Sequence, residues 1–379
     1  MVHKHSSEKR KSVLILVNHA VVLCNFRMEL AERLLADGYA VHVSCPYGKQ
    51  IDGLEAMGVN YHNTRIQRHG MNPAAEIRLL KEYCRLMREI RPAAVFAYTI
   101  KPDIYGGLAA GWAHIPFVAN ITGFGTALEK DGLRKRCLLL LYRQGLRHAQ
   151  KVFFQNRENQ NYMLKHHIVT GPHALLPGSG VNLSKHCLEA YPMSRGPLIF
   201  LTAGRIMKDK GIDELLEAAE IIRNRYAWVQ FLLVGFFDED YREKIAKAER
   251  KGIIRYFRQQ KDIHPYMKRA HALIQPSHHE GMSNVLLEAA STGRPVLAGR
   301  IAGCREAFDE GISGFGFRAG DSADLVRVIE KFIRLSHVQK AEMGKAGRRK
   351  MEREFDRQIV VEAYMRELNG IGRQQDEFI

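Results

Sequence analysis

Two glutamates lie eight residues apart around the start of a predicted helix, in the stretch EGMSNVLLE from Glu280 to Glu288. Carboxylates that act together on one glycosidic bond lie about 5 to 9.5 Å apart. An offset of eight residues corresponds to roughly 12 Å in a continuous helix, and to somewhat less when part of the segment is a turn. We therefore expect the two carboxylates to contact opposite ends of one long ligand. The alternative is that Glu288 is an ordinary helix-face carboxylate and Glu280 a first-turn charge.

The segment between the glutamates favours an anion-binding helix terminus. Ser283 or Asn284 is suited to cap the helix, which leaves the N–H groups of its first turn free at the positive end of the helix dipole. Such N–H groups bind phosphate. A nucleotide sugar fits this arrangement, because a pyrophosphate joins its ribose to its hexose.

A second cluster, TAGRIMKDKGID, follows an apolar run and contains Arg205, Lys210 and Gly211. Two cations at the carboxyl end of a strand, with a glycine opening the next helix, are suited to a pyrophosphate whose negative charge grows as it leaves. The same residues could instead form a solvated basic loop.

The elements that must position these groups alternate between short apolar runs and helical patterns. The first half predicts strands in SVLILVN (12–18), YAVHVSC (39–45), AAVFAYT (93–99), PFVANIT (116–122) and KVFFQN (151–156). The second half predicts strands in LIFLTAG (198–204), VQFLLVG (229–235), HALIQPS (271–277), PVLAG (295–299) and GFGFR (314–318). Strands that alternate with helices form a parallel sheet covered on both faces.

A segment rich in Gly, Pro and Ser, residues 175–197, separates the two halves and is predicted to be a linker. We therefore predict an α/β protein with two doubly wound, Rossmann-like domains, at residues 1–180 and 197–356. The tail from about Leu325 is nearly all helical, and its last part, about 357–379, is expected to pack back on the first domain. Ligands bind at the carboxyl ends of the strands in such sheets, so the site is expected in a cleft between two facing domains.

The composition of the chain limits which partners and which cellular compartment are expected. The chain has 57 Lys and Arg against 41 Asp and Glu, which favours polyanionic partners such as nucleotides, nucleic acid or an anionic bilayer. Its 6 cysteines form no CxxC pair and no Cys/His spacing for a tetrahedral zinc site. The opening residues lack signal-peptide features, and no apolar run approaches the roughly 20 residues of a spanning helix. We expect a cytoplasmic chain, soluble or peripheral.

The second half resembles the retaining glycosyltransferases of family four, which have the GT-B fold. Their Arg-x4-Lys-Gly signature matches Arg205, Lys210 and Gly211, and their Glu-x7-Glu signature matches Glu280 and Glu288. The stretches LLVG, EGMSNVLLEAASTGRPVLAG, GCRE and EGISGFGF keep the family order. Either signature alone is weak, whereas the combination is specific.

The resemblance implies roles for these residues. Arg205 and Lys210 would bind the donor pyrophosphate, and Glu288 would bind the nucleotide ribose. The donor sugar would be bound, and its charge stabilised, by the first glutamate with the loop that follows it: Glu280, Gly281, Met282, Ser283 and Asn284. Retention is expected to proceed on one face of the sugar, with the departing phosphate helping to deprotonate the acceptor hydroxyl. No metal is expected, because most members of the family need none.

In the amino-terminal half, VNHAVVLCNFRMEL stands where many relatives carry a Gly-Gly turn. The stretches NFR, YTIKPDIYGG and NITGFGT resemble bacterial enzymes that extend lipid-linked or capsular saccharides, often from UDP-sugars. The acceptor-side candidates are His19, Asn25, Arg27, Lys101, Thr122 and Gly123. Each could equally be a helix cap, a surface charge or a turn residue, and His19 could be a structural histidine.

Two basic helical stretches could rest on a membrane. LRKRCLLLLYRQGLRHAQK (133–151) combines cations with four consecutive leucines, and AEIRLLKEYCRLMREIR (75–91) adds positive charge in the same half. A cation near an anionic bilayer contributes about 1 kcal/mol. This agrees with a lipid-linked acceptor at the inner membrane face, although either stretch could be an ordinary amphipathic helix with solvated arginines.

Other classes account for fewer of these features. A dinucleotide-dependent dehydrogenase would share the sheets, but no GxGxxG follows the first strand. A basic nucleic-acid-binding protein would explain the charge, but no reader motif or aromatic-basic interleaving is present. Two further alternatives are a GT-B epimerase or hydrolase that acts on a nucleotide sugar without an acceptor, and a catalytically silent partner subunit.

The sequence therefore predicts a retaining glycosyltransferase that moves a hexose or N-acetylhexosamine from a UDP-sugar to a saccharide acceptor. The acceptor is expected on a polyprenyl pyrophosphate, in surface polysaccharide or glycan assembly. The predicted place is the inner face of the cell membrane, with an anionic lipid surface as partner and with neither nucleic acid nor metal.

Overall fold

The structure, a computed structural model, describes residues 10–67, 72–123, 132–193 and 195–376. These residues divide into two compact units. The described residues up to Ser179, together with those from Val360 onward, form the first unit, and Gly180–Ile359 form the second. In both units parallel strands alternate with helices, which confirms the predicted α/β class.

The first unit is organised around a parallel sheet of seven strands in the order β3-β2-β1-β4-β5-β6-β7. The strands are β1 (Ser12–Leu16), β2 (Ala40–Cys45), β3 (Asn60–Asn63), β4 (Ala94–Tyr98), β5 (Phe117–Ile121), β6 (Lys151–Phe154) and β7 (His173–Leu175). The helices are α1 (Ala20–Phe26), α2 (Met28–Ala36), α3 (Ile51–Ala56), α4 (Pro73–Ile90), α5 (Gly107–Ala113), α6 (Leu133–Leu146) and α7 (Arg157–Lys165). A π-helical turn, Pro102–Gly106, precedes α5.

The second unit contains a parallel sheet of six strands in the order β10-β9-β8-β11-β12-β13. The strands are β8 (Leu198–Ala203), β9 (Val229–Val234), β10 (Arg255–Phe257), β11 (Ala272–Gln275), β12 (Val296–Gly299) and β13 (Gly314–Phe317). The helices are α8 (Ile212–Arg225), α9 (Arg242–Arg250), α10 (His264–Arg269), α11 (Asn284–Ser291), α12 (Ser322–Arg334) and α13 (His337–Lys350). The last helix, α14 (Arg357–Asp376), begins in this unit and contributes its residues from Val360 to the first.

Both faces of the first sheet are covered, and its central strand shows why the sequence reveals it. In β1, Val13 and Ile15 pack into one hydrophobic core, whereas Leu14 and Leu16 pack into another. A strand buried on both faces is apolar throughout instead of alternating between apolar and polar residues. The run SVLIL therefore identifies a central strand of a covered sheet.

Each of the ten predicted apolar runs contains a strand, but the short strands β3, β7 and β10 were not predicted. All three lie at sheet edges. An edge strand pairs with a single neighbour and is only partly buried, so NYHN, HAL and RYF carry little apolar signal. The predicted linker, 175–197, contains the end of β7, and the second unit begins inside it at Gly180.

The strand order reverses direction between β1 and β4 in the first sheet and between β8 and β11 in the second. At such a switch point the connections leave in opposite directions, which opens a crevice outside the carboxyl ends of the strands. Every described helix is too short or too polar to cross a bilayer.

Candidate functional site

Both predicted signatures of the second half lie at the switch point of its sheet. Arg205 and Lys210 follow β8, and Glu280 follows β11, which pairs with β8 in parallel. Adjacent parallel strands end at the same edge, so residues 70 positions apart in sequence meet there.

Glu280 accepts hydrogen bonds on one oxygen, Oε1, from three side chains. Lys210 Nζ lies 2.5 Å from Oε1, Ser277 Oγ lies 2.9 Å from it and Gln275 Nε2 lies 3.0 Å from it. The side chains of Lys210 and Glu280 are only 17% and 13% exposed, so the ion pair is shielded from water. The sequence indicated Lys210 and Glu280 but not their contact. It also did not single out Gln275 and Ser277, which had been assigned only to a strand.

The loop that carries Lys210 is fixed against the end of β11. Its 3-10 turn, Lys208–Lys210, ends at Gly211, whose φ is +66°. A Cβ at this position would lie 2.0 Å from the carbonyl oxygen of Pro276. His278 N also donates to the carbonyl oxygen of Asp209 at 2.9 Å. Glycine is therefore required by both the backbone conformation and the close approach.

The loop after Glu280 is supported by the stretch GCRE. Gly303 has a φ of +76°, and a Cβ there would lie 2.5 Å from the carbonyl oxygen of Gly281. The Ser283 N–H donates to the carbonyl oxygen of Gly303 at 2.8 Å. Two glycine contacts, at Gly211 and Gly303, thus set the backbone on either side of Glu280.

Arg205 lies in more open surroundings than Lys210. Its Nη1 donates to Asp238 Oδ2 at 2.7 Å, and the Arg205 side chain is 43% exposed. Exposed ion pairs of this kind contribute about 0 to 1 kcal/mol to stability, so the guanidinium can exchange its partner for a ligand at low cost. The sequence did not single out Asp238, because an aspartate in a charged loop after β9 carries no pattern of its own.

The amino end of α11 offers polar groups without protein partners. Ser283 occupies the predicted cap position, although its side chain makes no capping bond. Within the described part of the chain, Ser283 Oγ and Asn284 Oδ1 are buried and lack a hydrogen-bond partner. Buried polar atoms without partners are rare in native proteins and often mark a ligand site. Met282, which precedes them in the chain, is buried in the hydrophobic core of the unit.

Glu288 lies one turn further into α11, in surroundings that disfavour its charge. Burial raises the pKa of the Glu288 carboxyl to about 7, although the positive charges of Lys185 and Arg357 oppose this shift. His186 Nε2 lies 3.8 Å from Glu288 Oε1. Burial lowers the pKa of His186 to about 4, so this imidazole is neutral at pH 7 and does not form an ion pair. The sequence did not indicate His186, which lies in the predicted linker.

Several acceptor-side candidates of the first unit follow the carboxyl ends of its central strands. His19 follows β1 and caps α1, because its Nδ1 accepts a hydrogen bond from Val21 N at 3.1 Å. Lys101 follows β4, and its Nζ pairs with Glu76 Oε1 at 2.5 Å, with both side chains largely buried. The capping role agrees with the structural alternative for His19.

Arg27 differs from the other candidates because it is buried in the core, with 2% of its surface exposed. Its guanidinium carbon lies 4.7 Å from the centre of the Tyr98 ring. Asn25 is exposed, and Thr122 and Gly123, which follow β5, are half-buried. Whether these residues meet an acceptor stays a prediction, although Arg27 packs as a structural residue would.

One group of described side chains has metal-ligand atoms close together. Atoms of Cys187, Glu189 and His264 lie within 4.8 Å of one another. Glu189 there already pairs with His264 Nε2 at 3.0 Å and with Lys268 Nζ at 3.1 Å. The ammonium group supplies the positive charge that the carboxylate needs.

Comparison with known proteins gives matches in both halves of the chain. Residues 12–156 match the family described as glycosyl transferase 4-like, and residues 197–334 match the family described as glycosyl transferases group 1. N,N′-diacetylbacillosaminyl-diphospho-undecaprenol α-1,3-N-acetylgalactosaminyltransferase of Campylobacter jejuni is 21% identical over 360 residues, 90% of this chain and 94% of the relative. The capsular polysaccharide biosynthesis glycosyltransferase CapM of Staphylococcus aureus is 28% identical over 163 residues, 42% of each protein.

Solved structures show the same fold. A glycosyltransferase from Rickettsia africae superimposes with a TM-score of 0.78 at 17% identity, covering 96% of this chain and 99% of the other. HepE of Anabaena, solved in complex with UDP and glucose, superimposes with a TM-score of 0.75 at 16% identity, covering 95% of this chain and 100% of the other. These likenesses confirm the predicted GT-B-like fold class.

Proposed function

The chain is a group 1, family-four-like glycosyltransferase, and from this premise we propose that it transfers a hexose or N-acetylhexosamine from a UDP-sugar to a saccharide acceptor with retention of anomeric configuration. We place this reaction in polysaccharide or glycan assembly. Relatives of this chain are named for undecaprenol-linked and capsular products.

The observation that carries the proposal is the meeting of Lys210, Glu280 and the amino end of α11 at the switch point of the second sheet. A helix amino end beside cationic side chains binds phosphate groups. We assign the donor diphosphate to this place, with Arg205 and Lys210 as its cationic contacts. HepE, which shares the fold, was solved with UDP and glucose, in agreement with a UDP-linked donor.

The two ends of the donor have separate contacts in this proposal. Glu288 accepts hydrogen bonds from the ribose hydroxyls. Glu280 binds the sugar together with the loop from Gly281 to Asn284, in which the unpartnered atoms Ser283 Oγ and Asn284 Oδ1 are available to sugar hydroxyls. Met282 anchors this loop, because its side chain is buried in the hydrophobic core of the unit.

The transfer step needs stabilisation of negative charge more than it needs a strong base. The bond between the anomeric carbon and the diphosphate breaks, and its electron pair goes to a phosphate oxygen. The acceptor oxygen bonds to the anomeric carbon on the same face, and its proton passes to that phosphate oxygen. Arg205, Lys210 and the helix amino end stabilise the charge that develops on the leaving group.

We assign acceptor binding to the carboxyl edge of the first sheet, where His19, Lys101 and Thr122 follow three of its strands. Asn25 and Gly123 are the neighbouring candidates, and the buried Arg27 is assigned a supporting role. A groove of about 270 Å³ lies beside this edge, between α4 and α6. Its lining is mainly apolar and includes Ile77, Leu80, Tyr105 and Leu141. A lipid-linked acceptor would have apolar surface to contact there.

The exposed face of α6 supports attachment to an anionic membrane. Leu133 and Leu140 are 77% and 58% exposed on this face, beside the exposed cations Arg136, Arg143 and Arg147. Among the described residues these three arginines have no carboxylate partner. Two other cations of the basic stretches are engaged, since Lys151 lies 3.3 Å from Glu367 and Arg85 binds Glu82 and Glu89. The side chain of Arg134 lies outside the described residues.

The test is a screen of donors. Thermal shift and release of the nucleoside diphosphate are measured with UDP-, GDP- and ADP-sugars, and the best donor is then offered to saccharide and polyprenyl-pyrophosphate acceptors. We expect one UDP-sugar to stabilise the protein and to be consumed only when an acceptor is present. Rapid UDP release without any acceptor would instead indicate a hydrolase or epimerase. Stabilisation by none of the nucleotide sugars would contradict the proposal.

A further inference from the structure

Glu280 is held by more than its ion pair with Lys210. We propose that Gln275 and Ser277 are positioning residues that fix Glu280 so that only its Oε2 faces the donor sugar, and that keep it fixed when Lys210 turns to the diphosphate. This inference rests on the proposed function, because it assumes that the donor is bound beside Glu280.

The hydrogen bonds on Glu280 are unevenly divided between its two oxygens. Oε1 accepts from Lys210, Gln275 and Ser277, while Oε2 has no hydrogen-bond partner among the described residues. Gln275 Nε2 also lies 2.6 Å from Ser277 Oγ, which ties the two neutral donors together. Oε1 is therefore saturated and Oε2 remains available for a ligand hydroxyl.

The two neutral donors are placed far more rigidly than the lysine. Gln275 is the last residue of β11 and pairs in register with Ala298 of β12. Gln275 is 4% exposed and Ser277 is fully buried. Lys210, by contrast, ends a short 3-10 turn and reaches Glu280 through a flexible four-carbon stem.

Binding of the donor changes the electrostatics of this cluster. The diphosphate is a stronger partner for the Lys210 ammonium than one carboxylate is, so Lys210 is drawn away from Glu280. The terminal torsion of a glutamate has no narrow preferred value, so an unheld carboxylate would rotate freely at this moment. Gln275 and Ser277 prevent that rotation, because their bonds to Oε1 do not depend on Lys210.

The test compares binding of UDP with binding of the best UDP-sugar from the donor screen, using Ser277→Ala and Gln275→Met. We expect the UDP dissociation constant to stay within about twofold, because neither residue is assigned to the nucleotide. The additional affinity conferred by the sugar is the ratio of the dissociation constant for UDP to that for the UDP-sugar. This ratio should fall about 3- to 10-fold, and kcat about 10- to 100-fold, since a misdirected carboxylate weakens the contact that the sugar makes.

Thr202→Val is the matched control. Thr202 is a buried residue of β8 whose hydroxyl donates to the carbonyl oxygen of Ile274 at 3.0 Å, without touching Glu280. It should lower the thermal midpoint to a similar extent as Ser277→Ala, while leaving kcat and the affinity conferred by the sugar unchanged. If Ser277→Ala does not fold, Gln275→Met tests the same contact.

A double-mutant cycle separates positioning from a purely structural role. In a Glu280→Ala background, Ser277→Ala should no longer reduce the affinity conferred by the sugar, because it acts through a carboxylate that is gone. An effect that persists in this background, or an equal loss of affinity for UDP and for the UDP-sugar, overturns the inference. Failure of the proposed function looks different, because the unaltered protein would then bind no UDP-sugar, or Glu280→Ala alone would leave the affinity conferred by the sugar intact.

Discussion

Arg205 and Lys210 carry the same charge but lie in different surroundings. We expect this difference to decide how much each residue contributes to sugar transfer. Arg205 is paired with the exposed Asp238, whereas Lys210 is paired with the shielded Glu280. Removal of Lys210 would leave the Glu280 carboxylate without its cation at the proposed donor site. Removal of Arg205 would leave a carboxylate that water solvates.

We therefore predict unequal effects of the two substitutions on transfer. Lys210→Ala should lower kcat/KM for the donor about 100- to 1000-fold, the range for loss of one preorganised charge-stabilising group, and Arg205→Ala should lower it by about tenfold. Steady-state kinetics with the best UDP-sugar measures both. The control is Arg225→Ala with Lys251→Ala, which removes two exposed ion pairs elsewhere in the same unit. Unchanged transfer in the variant lacking both Arg205 and Lys210 would contradict the proposed function.

The raised pKa of Glu288 predicts how the affinity for the UDP-sugar changes with pH. Its pKa is raised to about 7, so the carboxylate on which the proposed contact with the ribose hydroxyls depends is formed only as the pH rises through 7. We predict that affinity for the UDP-sugar increases between pH 6 and 8, and that Glu288→Gln binds more weakly and without this pH dependence. Isothermal titration should use a UDP-sugar instead of free UDP. The terminal phosphate of free UDP titrates near pH 6 and would add its own pH dependence, whereas in a UDP-sugar this phosphate is esterified. The neighbouring His186, whose pKa burial lowers to about 4, does not change charge in this range.

The same shift predicts an effect on stability. The folded protein holds the Glu288 proton more tightly than the unfolded chain does, so the stabilisation from this proton is complete below the unfolded pKa and is lost as the pH rises through 7. The thermal midpoint of Glu288→Gln, relative to the unaltered protein, should therefore be higher at pH 8 than at pH 5. An equal difference at both pH values would mean that Glu288 is solvated.

At the scale of elements, the site depends on a loop held at a fixed distance from a strand end. Gly211 lets the Lys208–Lys210 turn approach the carbonyl oxygen of Pro276, and no side chain fits between them. The geometry of Lys210 toward Glu280 is thus set by backbone contact.

Gly211→Ala tests this contact against a matched glycine. We expect Gly211→Ala to lower the thermal midpoint strongly and to weaken UDP-sugar binding at least tenfold, because the added methyl group forces the loop away from β11. Gly252 has almost the same φ, +68° against +66°, but an added Cβ there would meet no atom within 4 Å. Gly252→Ala should cost only the left-handed strain of about 1 to 2 kcal/mol and leave binding intact. Equal effects of the two substitutions on binding would show that the close approach is unimportant.

At the scale of the whole molecule, the net charge of +16 is distributed unevenly between engaged and available cations. In α4, Arg85 pairs with Glu82 and Glu89, whereas Arg136, Arg143 and Arg147 at α6 lie exposed beside apolar residues. This combination of exposed leucines and cations is typical of a surface that meets anionic lipid.

We predict that Arg136→Gln, Arg143→Gln and Arg147→Gln together weaken binding to vesicles containing phosphatidylglycerol on the order of 100-fold, at about 1 kcal/mol per cation. Sedimentation with vesicles of phosphatidylglycerol in phosphatidylcholine, and of phosphatidylcholine alone, measures the effect. The control replaces the exposed Arg242, Arg318 and Arg334 of the second unit by Gln, with the same change in net charge. Equal weakening by both sets would indicate attraction by overall charge, and weakening by neither would exclude α6.

The sequence was most informative where a pattern repeats or a spacing is chemically constrained. The ten apolar runs identified the central strands because burial on both faces leaves continuous apolar sequence, as in β1. The signatures around Arg205, Lys210, Glu280 and Glu288 were recognisable because they keep the Arg-x4-Lys-Gly and Glu-x7-Glu spacings of family-four glycosyltransferases. The edge strands β3, β7 and β10 were missed because partial burial leaves no such pattern.

Contacts between distant parts of the chain could not be read in this way. Gln275, Ser277 and His186 carry no motif, and their importance appears only when β11, the linker and α11 are brought together. Tyr364, near the end of the chain, likewise packs in the first unit, where Asn120 Nδ2 donates to its hydroxyl oxygen at 2.7 Å across 244 residues.

The sequence by itself determined that this chain forms two covered parallel sheets and that one end of the second sheet carries two cations and two carboxylates. Tertiary structure alone decided which of those charges touch and which oxygen of Glu280 remains available. It also decided that burial raises the pKa of Glu288 to about 7. The physical reason is that apolar periodicity and motif spacing are local properties of a chain. Hydrogen-bond partners and desolvation, in contrast, depend on distances between residues that the sequence separates widely.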